Sequence, residues 1–192
     1  MSLRLFSALE LPTPITENLA ALSDRLREQM PRQSVRWVQP RNIHLTLKFY
    51  GEVKPEKVAA LQESLTQAVL GRAPLTLALN GLGLFPNAVR PRVVWVGLSG
   101  QLEALGALQT AVEQGAAGLG FPPEARAFAP HLTLGRVTEN LRPPDWPRLG
   151  AALRALTFAP QTFTVEQVAL IRSELKPAGS VYTRLFSALL AG

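Results

Sequence analysis

The tetrapeptide His-Leu-Thr-Leu occupies residues 44–47 within PRNIHLTLKFYGE (40–52) and returns at residues 131–134 within FAPHLTLGR (128–136). The chain of 192 residues has two histidines, and each opens one copy. Side chains alternate along a strand. His44 and Thr46 therefore share one face while Leu45 and Leu47 take the other, and His131 and Thr133 stand against Leu132 and Leu134 in the same way. Packing explains a repeated Leu-x-Leu. It does not explain a repeated His and Thr on the opposite face.

Working outward, the remaining elements fall into a repeated order. Apolar residues at helical spacing mark a first helix (Ile15, Leu19, Leu22, Leu26, Met30), with Thr13 read as its N-cap and Pro14 as its first residue. A second helix runs from Pro55 through Val58, Leu61, Leu65 and Val69 to Gly71. Leu102, Leu105, Leu108 and Val112 mark a third, and residues 146–156 a shorter fourth. Strand-like runs cover residues 3–9, 43–50, 75–84, 93–98, 128–137, 162–171 and 181–190. The order reads as a duplicated β-α-β-α-β unit closed by a last strand, with RLFSALE (4–10) echoed by RLFSALL (184–190). The fold class expected is α+β: one bilobal domain over 1–192, with approximate halves 1–98 and 99–192. Each lobe is an antiparallel sheet with helices outside, and the two histidine strands face a central cleft.

Composition bounds the partner. Hydrophobic residues make up 47% of the chain, ample for a core, and 20 Lys and Arg against 14 Asp and Glu give a net charge of +6. A pI near 10.5 favours a polyanion such as nucleic acid, although an Arg-, Ala- and Pro-rich base composition would produce the same balance. With no cysteine there is no thiol nucleophile, disulfide or thiolate metal site. The apolar run at the N-terminus is broken by Glu10 and Pro12, and the longest uncharged stretch, 73–89, contains Asn80, two glycines and Pro86. A soluble, cytoplasmic protein without membrane association is expected, and a monomer.

A cleft holding two imidazoles and two hydroxyls suits acid–base chemistry on a phosphate ester. One neutral imidazole takes a proton from water while the other, protonated, gives one to the leaving oxygen. Thr46 and Thr133 can hydrogen-bond the non-bridging oxygens, and Arg136 can neutralise their charge. Arg136 has the opposite parity from His131 on a regular strand, so it needs a bulge, a twist or the strand end at Gly135 to reach the cleft. Two histidines with no carboxylate in either motif make a poor metal site, and neither a metal nor a cofactor is expected. No Walker or Rossmann glycine loop and no GxSxG elbow appears.

The motifs HLTLKFYGE and PHLTLGR, with RLFSALELP, VRWVQPRNIHLTLKFYGEV, FPNAVRPRVVWVGL and LIRSELKPAGSVYTRL, resemble the two-histidine (HxTx) phosphoesterase superfamily over nearly the whole chain. Within it the chain is most similar to the RNA 2′,3′-cyclic phosphodiesterases, formerly called 2′-5′ RNA ligases. The resemblance implies two α+β lobes around a cleft and metal-independent hydrolysis of an RNA 2′,3′-cyclic phosphate end, tRNA-derived ends included, to a 2′-phosphate. It implies His44 as proton donor, His131 as proton acceptor, and Thr46, Thr133 and Arg136 as phosphate ligands.

Phe49 would stack on the terminal base, although its parity on an ideal strand equally makes it a core residue. Tyr50 falls on the histidine face, and Ser173 and Tyr182 are further cleft candidates. Trp37, Trp95 and Trp146 read as packing residues. Arg90, Arg92 and Arg142, in Pro-rich loops, read as RNA-backbone contacts or simply solvated arginines. Two other functions share the motifs: a phosphodiesterase for a cyclic nucleotide or cyclic ADP-ribose phosphate, and a noncatalytic protein that binds RNA ends.

Overall fold

The computed structural model describes residues 2–177 and 179–192. The elements in order are β1 (Leu3–Glu10), α1 (Thr13–Glu28), β2 (Val35–Trp37), β3 (His44–Val53), α2 (Val58–Val69), β4 (Leu75–Phe85), β5 (Val93–Gly100), α3 (Leu102–Gly118), β6 (His131–Val137), α4 (Trp146–Ala155), β7 (Thr162–Val165), β8 (Gln167–Lys176) and β9 (Gly179–Leu189). The strands form two antiparallel sheets, ordered β3-β1-β8-β9 and β2-β6-β5-β4-β7. Among the described residues the class is α+β, with four α-helices beside two sheets.

The two sheets repeat one pairing arrangement. β1 leads through α1 to β3 and pairs with it, while β5 leads through α3 to β6 and pairs with it. The order β3-β1-β8-β9 is echoed by β6-β5-β4-β7, with β2 added outside β6. Each sheet draws strands from both parts of the chain: β2 and β4 join the sheet of the second histidine strand, and β8 and β9 join that of the first. The RLFSAL echo is not part of this symmetry. Its two copies, in β1 and β9, lie in the same sheet on either side of β8, so amphipathic strands in one sheet have converged on the same letters.

Two local expectations change, and one strand, β2, is added. The strand read over 162–171 is two strands: β7 pairs with β4, and after Glu166 the chain crosses to pair as β8 with β1. β2 is too short to give a period-2 signal. Thr13 lies inside α1; Pro12 holds the cap position, where its carbonyl accepts the amides of Ile15 and Thr16, and Pro14 is in the first turn.

Leu45, Leu47, Leu132 and Leu134, each at most 3% exposed, enter one continuous core with the apolar faces of all four helices. Burying a leucine contributes about 1.5–3 kcal/mol relative to leaving it exposed, so each histidine strand is pinned from its back. A second, smaller apolar cluster of Phe6, Ala8, Ala169 and Ile171, with Tyr182 against it, lies on the other face of the first sheet.

Candidate active site

β3 and β6 belong to different sheets yet approach within 8 Å at Cα. Each presents its histidine at its first residue. The imidazoles are anchored alike: His44 Nδ1 lies 2.8 Å from the Asn42 carbonyl and His131 Nδ1 lies 2.7 Å from the Ala129 carbonyl. A carbonyl only accepts, so Nδ1 carries a proton in both rings. In the neutral form Nε2 is then the unprotonated nitrogen of each. Asn42 is itself held in place, donating from Nδ2 to the Ser180 carbonyl at 2.8 Å.

Aromatic walls flank both rings. His44 stacks on Phe6, with centroids 4.7 Å apart, and meets the edge of Tyr182 at 5.4 Å. His131 packs edge-to-face on Phe85 at 4.9 Å, with Trp95 at 6.5 Å. Trp95 lies flat over Gly83, where a Cβ would fall 2.1 Å from the indole, so this wall requires glycine there. Trp95 is thus a packing residue, but of the cleft wall.

The face on which later side chains emerge is decided by a bulge shared by the two motifs. In β3, Ala8 faces Thr46 and Ser7 faces Lys48, leaving Leu47 unpaired. In β6, Trp95 faces Thr133 and Val94 faces Gly135, leaving Leu134 unpaired. Both bulge carbonyls are satisfied, Leu47 O by Gln109 Nε2 at 3.4 Å and Leu134 O by the Val38 amide at 2.8 Å.

One extra residue reverses the parity that follows it. Lys48 and Gly135 consequently turn inward, while Phe49 and Arg136 emerge, exposed, on the histidine face. Arg136 obtains the bulge its parity demanded, and Phe49 is its counterpart in the other motif. Phe49 is 46% exposed with the Arg4 guanidinium 4.6 Å from its ring centre.

Tyr50 corrects the reading that placed it on the histidine face. The same bulge turns it into the main core, edge-on to Phe121 at 5.4 Å, with its hydroxyl donating to Ser7 Oγ at 3.2 Å. Burial pushes its pKa up to about 12, and it does not line the cleft. Ser173 and Tyr182 stand opposite each other on β8 and β9, beside the small apolar cluster. Thr46 and Thr133 share the faces of their histidines. Tyr182 thus lies against His44, and Thr46, Phe49, Thr133 and Arg136 emerge on the faces of the histidines of their own strands.

Sequence reasoning missed the carbonyls of Asn42 and Ala129, and the rings of Phe6 and Phe85. The sequence carried no signal for those carbonyls, although each lies two residues before its histidine. Among the described residues no group of three His, Cys, Asp or Glu side chains is placed to hold a metal ion. No described helix is long and apolar enough to cross a membrane.

The His44 pKa is lowered, first by desolvation between its aromatic neighbours and also by the nearby His131; the Asn42 carbonyl opposes the shift. The unfolded chain therefore binds this proton more readily than the folded one. The neutral ring's contribution to stability is complete above pH 6.5 and is lost as the pH falls through that value toward the lower folded pKa. Thermal unfolding of the wild type and His44→Gln between pH 8 and pH 5 should show the wild type losing ground below about pH 6.5. A Tm difference independent of pH would contradict this.

The LigT like Phosphoesterase family model matches the chain twice, over residues 9–95 and 96–182. The chain is 33% identical over 183 residues to an RNA 2′,3′-cyclic phosphodiesterase of Methanothermobacter thermautotrophicus, spanning 95% of this chain and 96% of that protein. It is also 33% identical to one of Archaeoglobus fulgidus, spanning 95% and 98%. The crystal structure of E. coli LigT complexed with 3′-AMP superposes over all of both chains with a TM-score of 0.78 at 29% identity.

Proposed function

The chain belongs to the LigT-like phosphoesterase family, and from that premise we propose that it hydrolyses the 2′,3′-cyclic phosphate at an RNA end to a 2′-phosphate. The observation that carries the reading is the matched pair of imidazoles, each held through Nδ1 by the carbonyl two residues before it, with Nε2 of both left for chemistry. Relatives named RNA 2′,3′-cyclic phosphodiesterase support the same reading.

His131 Nε2 takes the proton of a water whose oxygen bonds to phosphorus. The P–O3′ bond breaks, and protonated His44 gives its Nε2 proton to the departing 3′ oxygen. Burial disfavours the charged form of His44 in the free cleft; the anionic phosphate supplies the counter-charge that favours it. Thr46, Thr133 and Arg136 hold the non-bridging oxygens, and Phe49 offers a face to the terminal base. Every proton is carried by the chain, so no step needs a metal. The reverse reaction, joining such an end to a 5′ hydroxyl, uses the same groups, and excess water keeps it weak.

The test is incubation of the protein, with chelator, on an RNA oligomer ending in 2′,3′-cyclic phosphate. Conversion to the 2′-phosphate is expected at undiminished rate. Binding without turnover would indicate an end-binding protein, and turnover confined to mononucleotides would indicate a cyclic-nucleotide phosphodiesterase.

A further inference from the structure

The edge strand β2 sets Arg36 directly opposite Arg136 of β6. Valine and tryptophan neighbours fix the faces: the side chains of Val35 and Trp37 crowd the core side of Gly135, so Arg36 is turned away from them, to the side on which Arg136 emerges. Both arginines are exposed, and among the described residues neither is in an ion pair. Like charges directly opposite on neighbouring strands destabilise a sheet, and among the described residues no ion pair offsets this one. An anion between them would.

The arginines line a groove of roughly 730 Å³ that continues past the end of β6. Its wall is built rather than loose. Gln33 has a φ of 60°, a conformation a glutamine rarely adopts. Thr138 Oγ1 and Asn140 Nδ2 both donate to its carbonyl, at 2.5 and 3.3 Å, and the Thr138 amide donates to the Ser34 carbonyl at 2.9 Å. One carboxylate, Glu139, shares the lining, so two arginines outweigh one glutamate.

We propose that Arg36, beside Arg136, is a second anion site that holds the phosphodiester next to the terminal nucleotide, so that the groove carries the RNA backbone away from the cleft. This rests on the reading of the cleft as the site of the RNA end. It makes the protein favour an oligomer over a mononucleotide through binding, not chemistry.

The test is binding of the full chain to a fluorescent single-stranded RNA hexamer ending in 2′-phosphate, with a mononucleoside 2′-phosphate as competitor, at several salt concentrations. Arg36→Ala should weaken hexamer binding about three- to tenfold and lower the salt slope by about 0.7, leaving the mononucleotide unaffected. Arg36→Lys should restore most of the loss, and Glu139→Gln should tighten hexamer binding. An unchanged hexamer affinity, or equal losses for both ligands, would overturn the proposal. Failure of the cyclic phosphodiesterase reading would show separately, as absence of turnover in the chelator experiment.

Discussion

Alanine at His131 is expected to slow hydrolysis of cyclic-phosphate RNA by about 10²–10⁴-fold, and alanine at His44 by a similar factor. Both losses should fall on kcat, because in the proposed mechanism the imidazoles act on protons in flight while the threonines and Arg136 hold the phosphate. The double variant should lose little more than either single one, since an acid without its base no longer works as a pair. Each single variant should also reduce a two-limbed pH–rate profile to one limb. The measurement is single-turnover conversion of an end-labelled oligomer, with affinity for the 2′-phosphate product as the control for folding. Near-wild-type turnover by either alanine variant would remove that histidine from the mechanism. Strictly additive losses would show two independent effects instead of an acid–base pair.

The matched placement of the two histidines was legible because the chain repeats four residues whose alternation is intact. From His44 to Thr46 and from His131 to Thr133 the period-2 rule holds, and the leucines are buried where it puts them. It fails just after those leucines, at Lys48 and Gly135. A bulge is a property of the strand pair, set by which residues of β1 and β5 lie opposite, and those partners are distant in sequence. For that reason the parity of Phe49 and Tyr50 is reversed, and Lys48, a charged residue in an exposed-looking motif, is 4% exposed. The split of residues 162–171 left a faint trace, the adjacent polar pair Glu166 and Gln167 across which the buried apolar positions slip from 163 and 165 to 168 and 170, and the change of partner from β4 to β1 explains it. The imidazole anchors were invisible because a backbone carbonyl leaves no mark on side-chain identity.

The buried Lys48 leads to the second large effect. Its Nζ donates to Glu113 Oε2 of α3 at 2.7 Å and to the Pro122 carbonyl at 2.6 Å. Beside it, Lys57 Nζ donates to the Leu119 carbonyl at 2.8 Å and lies 5.1 Å from the centre of the Phe121 ring, which Tyr50 meets edge-on. Residues of β3 and the turn after it thus grip residues 119–122, at the start of the segment that ends in Ala129 and His131.

Removing Glu113 strands an ammonium whose side chain is 3% exposed. A buried ion left without its partner costs about 3–5 kcal/mol, so Glu113→Ala should lower stability by that amount and Tm by on the order of 10 °C. Lys48→Met should be milder, because the Glu113 side chain, 15% exposed, keeps some access to water. Lys48→Met with Glu113→Leu should recover much of the loss, since two apolar side chains leave no ion unpaired. Urea titrations of the three variants decide it. Glu113→Ala within about 1 kcal/mol of wild type would mean that water reaches Lys48. In that case the grip between the first histidine strand and the segment carrying the second would rest on Lys57, Tyr50 and Phe121.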